Sequence, residues 1–267
     1  MPPVTTQADP VERWRRAVEE RAVPDTIQQQ APEPFVLEPE RFRWRPDEDA
    51  RQPVRPSRRR ALEALPDGGS VVDVGVGGGA SSLGLVPRAA RITGVDTSEG
   101  MLAAFLESAL AAGIEARTVQ GTWPEVAGEV EPADIAVCHH AIYGTADIEP
   151  FVAALTAAAR RRAVVEVSAL PPTAGLGRLW TAFHGVDRPE HPVANELQEV
   201  LAWMGLPADR EDVVLPPRHR EVTPHLVAFA RRRLHVGPER DPEIEAFLRA
   251  NPPQEQHVVA FWWAGAA

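Results

Sequence analysis

The sequence predicts an α/β protein built on a doubly wound, mainly parallel sheet, and three observations predict it. The stretch Ser70 to Leu85, SVVDVGVGGGASSLGL, joins an apolar β-branched run to a glycine cluster and reads as strand, turn and helix start. A second apolar run, from Ile92, ends on Asp96, about the ~20 residues on at which a doubly wound sheet places an acid. Short apolar runs then alternate with helical stretches as far as Ser168, the pattern of parallel strands joined by crossover helices.

Taken in order, residues 1–56 are rich in proline and charge yet carry Trp14, Phe35, Phe42 and Trp44, which a solvated tail would seldom hold. Asp9-Pro10 supplies an N-cap and a proline at the first helical position, and Val11, Trp14 and Val18 share one face, so a short helix is expected before Pro24. Ser57 is placed to cap a helix through Leu65 that leads into the strand at Ser70. Thr97 or Ser98 opens the clearest helix, with Met101, Leu102, Phe105, Leu106, Ala109 and Leu110 on one face and Gly113 as its stop. Strands are expected near 116–119, 135–138 and 163–167. Beyond a Pro- and Gly-rich loop to Pro192 come a helix near 195–204 and a strand near 213–215. Thr223-Pro224 and Asp241-Pro242 each resemble an N-cap with its proline, giving two more helices before a last strand at 257–263.

The glycine turn carries the chemistry. Gly75, Gly77 and Gly79 let a polar ligand approach the main chain, where N–H groups and a helix start favour anionic groups. Gly75, Gly77 and Ala80 formally fit the dinucleotide spacing, so an NAD(P)-dependent oxidoreductase is one reading. Asp73 argues against it, because a carboxylate at the strand end repels a pyrophosphate and suits a cationic ligand.

Four motifs in order extend the pattern over residues 57–168. Asp73-Val-Gly75-Val-Gly77-Gly-Gly79, Ile92 to Leu102 (ITGVDTSEGML), Val119 to Pro124 (VQGTWP) and Ala133 to His140 (ADIAVCHH) together resemble the class I S-adenosylmethionine-dependent methyltransferases. The resemblance implies a Rossmann-like seven-stranded sheet of order 3-2-1-4-5-7-6 with the seventh strand antiparallel. It also implies a methyltransferase domain over 57–267, preceded by an N-terminal helical extension or lid (1–56) and carrying helical cap segments at 169–193 and 216–255.

By the same resemblance S-adenosyl-L-methionine is the cofactor. Asp96 accepts hydrogen bonds from both ribose hydroxyls, Asp73 complements the positive end of the cofactor, and Gly75, Gly77, Gly79, Thr97 and Met101 complete the turn and helix start. Gly121, Thr122 and Trp123 stand where many members hold the adenine; Thr122 departs from the acidic residue common there, and Trp123 is either a ring contact or core. His139 is expected at the methionine end through its backbone. His140 or Tyr143 is expected to face the acceptor, imidazole being suited to taking a proton near neutral pH; a pocket wall without proton chemistry is the alternative for each. Trp180, Phe183, His184 and Arg188 either line an acceptor pocket or dock their loop.

Composition narrows the remaining choices. The net charge of -10 disfavours nonspecific attachment to nucleic acid or an anionic membrane and favours a small-molecule methyl acceptor. All 28 basic residues are arginine, which removes lysine-based phosphate loops and Schiff-base chemistry. The triplets Arg58 to Arg60, Arg160 to Arg162 and Arg231 to Arg233 abut expected helix ends and read as solvated cations there. Cys138 is the only cysteine, too little with two histidines for a zinc site, so no metal is expected. No run spans a bilayer and the start lacks the apolar core of a signal peptide, so a cytoplasmic protein is expected. The expected activity is methyl transfer to an O, N or C nucleophile of a small organic molecule; the rivals are the oxidoreductase and a noncatalytic S-adenosylmethionine-binding protein.

Overall fold

The computed structural model describes residues 9–189, 193–217 and 221–266; parts of the extension (1–8) and of the two cap segments (190–192, 218–220) lie outside the described residues. Helices α1 (Pro10–Arg21), α2 (Asp25–Gln30), α3 (Pro46–Asp49) and α4 (Pro56–Ala64) precede strand β1 (Gly69–Val74). Then follow β2 (Ala89–Asp96), α5 (Glu99–Ala111), β3 (Glu115–Gln120), β4 (Ala133–His139), α6 (Ile148–Ala157) and β5 (Ala159–Ser168). The chain closes with α7 (Gly177–His184), α8 (Val193–Trp203), β6 (Asp209–Leu215), α9 (Pro224–Arg233), α10 (Asp241–Ala250) and β7 (Gln256–Ala264).

The strands form one seven-stranded sheet of order β3-β2-β1-β4-β5-β7-β6. β1 to β5 pair in parallel, and β7 runs antiparallel to both β5 and β6. This is the expected Rossmann-like order. Alternation along the central strands sends side chains to two cores. Val72, Val74, Ala136, Cys138 and Val165 face α6, α8 and α1, while Val71, Ile135, Val137 and Val164 face α4 and α5. Trp263 and Trp262 divide between the same two sides. A third, smaller core gathers Leu179, Trp180, Val227, Ala230, Leu234 and Ile244 from α7, α9 and α10.

The N-terminal residues are bound in at several points. The Asp9 carboxylate accepts from the Glu12 N–H at 2.7 Å, Trp14 is fully buried, and its indole donates to the Thr145 carbonyl at 2.7 Å. Four local expectations need correction. No α-helix starts after the glycine turn: residues 80–82 are turn and Leu83–Leu85 make one 3-10 turn before β2. Proline at its first position starts α4 after Arg55, so Ser57 is not the cap and its hydroxyl goes to Glu166 instead. In α5 the inward face runs Met101, Leu102, Ala104, Phe105, Ser108 and Ala109, leaving Leu106 40% and Leu110 82% exposed; Ser98 sets that register as N-cap, and the Ser108 hydroxyl is satisfied on the Ala104 carbonyl. Asp241 is the first residue of α10 rather than its cap, its carboxylate held by Arg231 at 2.7 Å.

The arginine triplets are not simply solvated helix ends. Arg160 to Arg162 open β5, where Arg162 reaches Glu63 at 3.3 Å and Arg161 reaches Asp134 at 3.5 Å. Arg59 and Arg60 both reach Glu211 on β6, and Arg60 lies over the Trp262 ring at 4.4 Å.

Candidate functional site

The carboxyl ends of β1, β2, β3 and β4 lie side by side in the sheet, so the loops leaving them share one rim, where an open α/β sheet holds its ligand. At β1 the turn takes left-handed backbone at Gly75 (φ 73°), Gly77 (φ 52°) and Gly79 (φ 89°). A Cβ on Gly75 would meet the Ala141 Cβ at 2.2 Å, so this glycine also lets the loop after β4 close against the turn. The Gly75 and Val76 N–H groups are tied to the Val95 carbonyl, which joins the turn to the end of β2.

Asp96, at the end of β2, accepts from the Gly77 N–H at 3.0 Å and the Ser98 N–H at 2.9 Å, one on each oxygen. Each carboxylate oxygen keeps a lone pair for a further donor. Asp73 is fully buried. One of its oxygens accepts from the Ser81 hydroxyl at 2.6 Å, and Oδ1 has no partner among the described residues. Burial pushes its pKa up to about 6 against the opposing Ser81 hydrogen bond. A buried acceptor without a donor at a ligand-facing turn fits a group that brings its own positive N–H.

The remaining expected positions are distributed around this pair. Ser98 rather than Thr97 caps α5, leaving Thr97 exposed, and Met101 is buried with its N–H on the Ser98 hydroxyl. The Gly121 N–H is held by the Asp96 carbonyl, and Thr122 is exposed on the loop after β3. Trp123 packs in the core beside α6, its indole donating to the Phe151 carbonyl at 3.2 Å, in keeping with the core reading of the two left open for it.

At the end of β4, His139 Nε2 is buried without a partner among the described residues. Burial lowers its pKa to about 4, so the ring is neutral at pH 7. His140 adopts φ 56°, costly for a residue with a Cβ, and this turn aims its ring across the rim. His140 Nε2 lies 3.0 Å from Glu166 and Nδ1 lies 2.9 Å from the Tyr143 hydroxyl, which itself accepts from the Ser168 N–H at 2.6 Å. An ionised carboxylate only accepts, so a neutral imidazole donates from Nε2 to Glu166 and takes the Tyr143 O–H at Nδ1. Both ring nitrogens of His140 are therefore engaged, and the Tyr143 oxygen keeps one lone pair. Burial raises the Tyr143 pKa to about 12.

Glu166, which nothing in the sequence alone singles out, organises this corner. It is 1% exposed and takes Arg55 on one oxygen and the Ser57 hydroxyl on the other, besides His140. Burial alone would raise its pKa; the His140 hydrogen bond and the neighbouring positive charges, Arg55 among them, outweigh burial and hold it well below the usual carboxylate range. The one available signal is an acid inside the apolar run AVVEVS, in a strand buried on both faces. Cys138 is fully buried and burial pushes its thiol up, which leaves it unreactive. Among the described residues no group of three or more His, Cys, Asp and Glu could hold a metal ion, and no helix is long and apolar enough to cross a membrane.

Residues 42–44 lie against the glycine turn. The Trp44 N–H donates to the Gly78 carbonyl at 3.1 Å, Arg43 bridges Gly79, and a Cβ on Gly78 would fall 2.1 Å from the Phe42 carbonyl oxygen. Gly78→Ala is therefore expected to displace this segment at a cost of about 1–3 kcal/mol. Faster protease cleavage within residues 31–54, with a lowered urea midpoint, is the expected outcome; unchanged cleavage would refute the contact.

A family model described as a methyltransferase domain matches residues 71–162. Among solved structures the chain is similar to the YcgJ protein of Bacillus subtilis, at 16% identity and TM-score 0.55 over 79% of this chain and 98% of that one. It is also similar to magnesium protoporphyrin IX methyltransferase of Synechocystis PCC 6803 with bound SAH, at 17% identity and TM-score 0.50 over 95% of this chain and 93% of that one. A putative sarcosine dimethylglycine methyltransferase of Galdieria sulphuraria shares 13% identity at TM-score 0.50, over 78% of this chain and 82% of that one. No curated protein matches the chain in sequence.

Proposed function

We propose that this chain, which carries a class I S-adenosylmethionine-dependent methyltransferase domain, moves the methyl group to an O, N or C nucleophile of a small organic molecule. The observation that carries the reading is the pair of carboxylates, Asp73 and Asp96, flanking a left-handed glycine turn. One is buried with an unmet acceptor and the other is open to two more donors. Asp96 holds the ribose hydroxyls, Asp73 the ammonium end, and Gly75, Gly77 and Gly79 give the room between them. Thr97, Met101, Gly121 and Thr122 border the adenosine, and the His139 backbone borders the methionine end.

When bound, the cofactor supplies a methyl group already activated by its sulfonium. The protein's part is in-line placement, exclusion of water, and removal of a proton where the acceptor bears one. Tyr143, His140 and Glu166 form a hydroxyl–imidazole–carboxylate chain suited to removing that proton. The Tyr143 oxygen receives it as its own passes to His140 Nδ1, and Glu166 stabilises the resulting imidazolium. The net charge of -10 supports a small acceptor over nucleic acid.

Calorimetric titration with S-adenosylhomocysteine, with NADH and NADPH as controls, tests the reading. Binding of S-adenosylhomocysteine alone supports it, and binding of a nicotinamide alone overturns it. If Asp73 receives the ammonium, the cationic ligand favours its ionised form and binding releases a proton below pH 6. Affinity is then expected to fall by about tenfold per unit below that pH and to level off above it. Asp73→Asn should flatten the profile, and a flat profile in the parent protein would remove Asp73 from the site.

A further inference from the structure

Arginines in this chain usually meet an acid. Arg231 holds Asp241 at 2.7 Å and Arg232 holds Glu38. The next residue, Arg233, has neither an ion pair nor a hydrogen bond among the described residues; its guanidinium lies over the Phe35 ring at 5.5 Å. Arg188 likewise lacks an ion pair among the described residues. It donates to the Arg21 carbonyl and lies over the Trp180 ring at 4.6 Å.

The two belong to one cluster, since Trp180 beneath Arg188 meets edge on, at 6.2 Å, the ring of His235, two residues beyond Arg233. Burial, and then the charges of Arg188 and Arg41, hold the Arg233 pKa below its ordinary value; burial and the charge of Arg21 do the same to Arg188. Arg41 lies over Phe229 at 3.8 Å, and Phe229 meets Phe35 edge to face at 5.7 Å. Arg21 is 9% exposed and forms an ion pair with Glu196 at 3.5 Å, while neither Nη1 nor Nη2 makes a hydrogen bond among the described residues. Trp180, 2% exposed, has an indole N–H without an acceptor among the described residues.

Like charges brought together among buried, unmet donors destabilise a protein unless something negative joins them. The nearby acids pair with other cations, Glu38 with Arg232 and His225, Glu40 with Arg43 and Glu196 with Arg21, and Asp187 accepts from the Thr181 hydroxyl without reaching Arg188 or Arg233 among the described residues. The chain links the cluster to the glycine turn, since Arg41 directly precedes Phe42, whose carbonyl sits against Gly78. We infer that the methyl acceptor carries a carboxylate or phosphate group, held by Arg188 and Arg233 between the aromatic rings of the cap. The planar fork of arginine suits either oxyanion, and the rings suit a flat apolar body beside it.

This inference rests on the methyl-transfer reading, and one experiment separates the two. The full chain, saturated with S-adenosylhomocysteine, is titrated with benzoate, its neutral isostere benzamide, and inorganic phosphate. Benzoate or phosphate is expected to bind and benzamide not, with Arg188→Gln and Arg233→Gln each weakening the anion by about tenfold or more while S-adenosylhomocysteine affinity stays within about twofold. In anion-free buffer the two variants should unfold at no lower urea concentration than the parent, because each removes an uncompensated charge; a fall in both midpoints would mean that the arginines hold the fold together, and would overturn the inference. Equal response to benzoate and benzamide, no anion binding, or variants that bind the anion unchanged would also overturn it. A parallel loss of S-adenosylhomocysteine affinity would assign the arginines to the carboxylate of the cofactor instead. Failure of the parent protein to bind S-adenosylhomocysteine at all would strike the cofactor reading itself.

Discussion

Replacing Glu166 by Ala is expected to destabilise the protein by about 3–5 kcal/mol, read as a drop in the urea midpoint, because it strands Arg55 and the Ser57 hydroxyl in a buried corner. Glu166→Gln keeps the shape and an acceptor for Ser57 but loses the charge, so it should fall between parent and Ala. The pH dependence has a definite sign. The folded-state pKa of Glu166 is depressed from an ordinary 4.5, so its contribution is complete above that value and is lost as pH falls below it. The Ala variant should lack that part of the acid dependence. If parent and variant lose stability in parallel between neutrality and acid, the charge on Glu166 is not what ties α4 to the sheet. The same substitution also frees His140 Nε2, so turnover should fall more than cofactor affinity does.

Asp96→Ala should weaken S-adenosylhomocysteine binding by about 1–3 kcal/mol, the usual worth of a hydrogen bond to a charged group. Part of that loss comes from the turn itself, since the Gly77 and Ser98 N–H groups lose their acceptor. Asp96→Asn separates the parts: it retains an acceptor oxygen but no charge, and should keep more of the stability than of the affinity. Calorimetry on the two variants beside the parent gives both numbers, and unchanged affinity in the Ala variant would take the ribose contact away from Asp96.

The central parallel strands were legible from their apolar runs and the residues at or beside their ends, while the order of the sheet came only with the resemblance that the four motifs carry. Asp73, Asp96 and His139 stand at such ends, so periodicity and punctuation located the rim before any contact was known. What the sequence hid was whatever depends on distant partners. Glu166 meets Arg55 and Ser57 from more than a hundred residues away, and nothing local marks an acid inside a strand as a hub. Arg233 looked like its neighbours Arg231 and Arg232, and only the assembled cap distinguishes the arginine that meets no acid among the described residues from the two that do. The face of α5 failed for a related reason: several leucines fit a helical stripe, and the docking against β2 and β3 decides which of them faces water.

The segment over the glycine turn is held on both sides, by Trp14 in the core upstream and by the Arg55–Glu166 pair downstream. A span fixed at both ends cannot swing aside like a door on one hinge; it can only bow or fray. If the cofactor lies at the glycine turn as proposed, its exchange is expected to require brief local breaking of backbone bonds such as that from Trp44 to Gly78, an event of the microsecond-to-second range. Substitutions within residues 38–44 are then expected to change its residence time without touching any group that meets the reacting atoms.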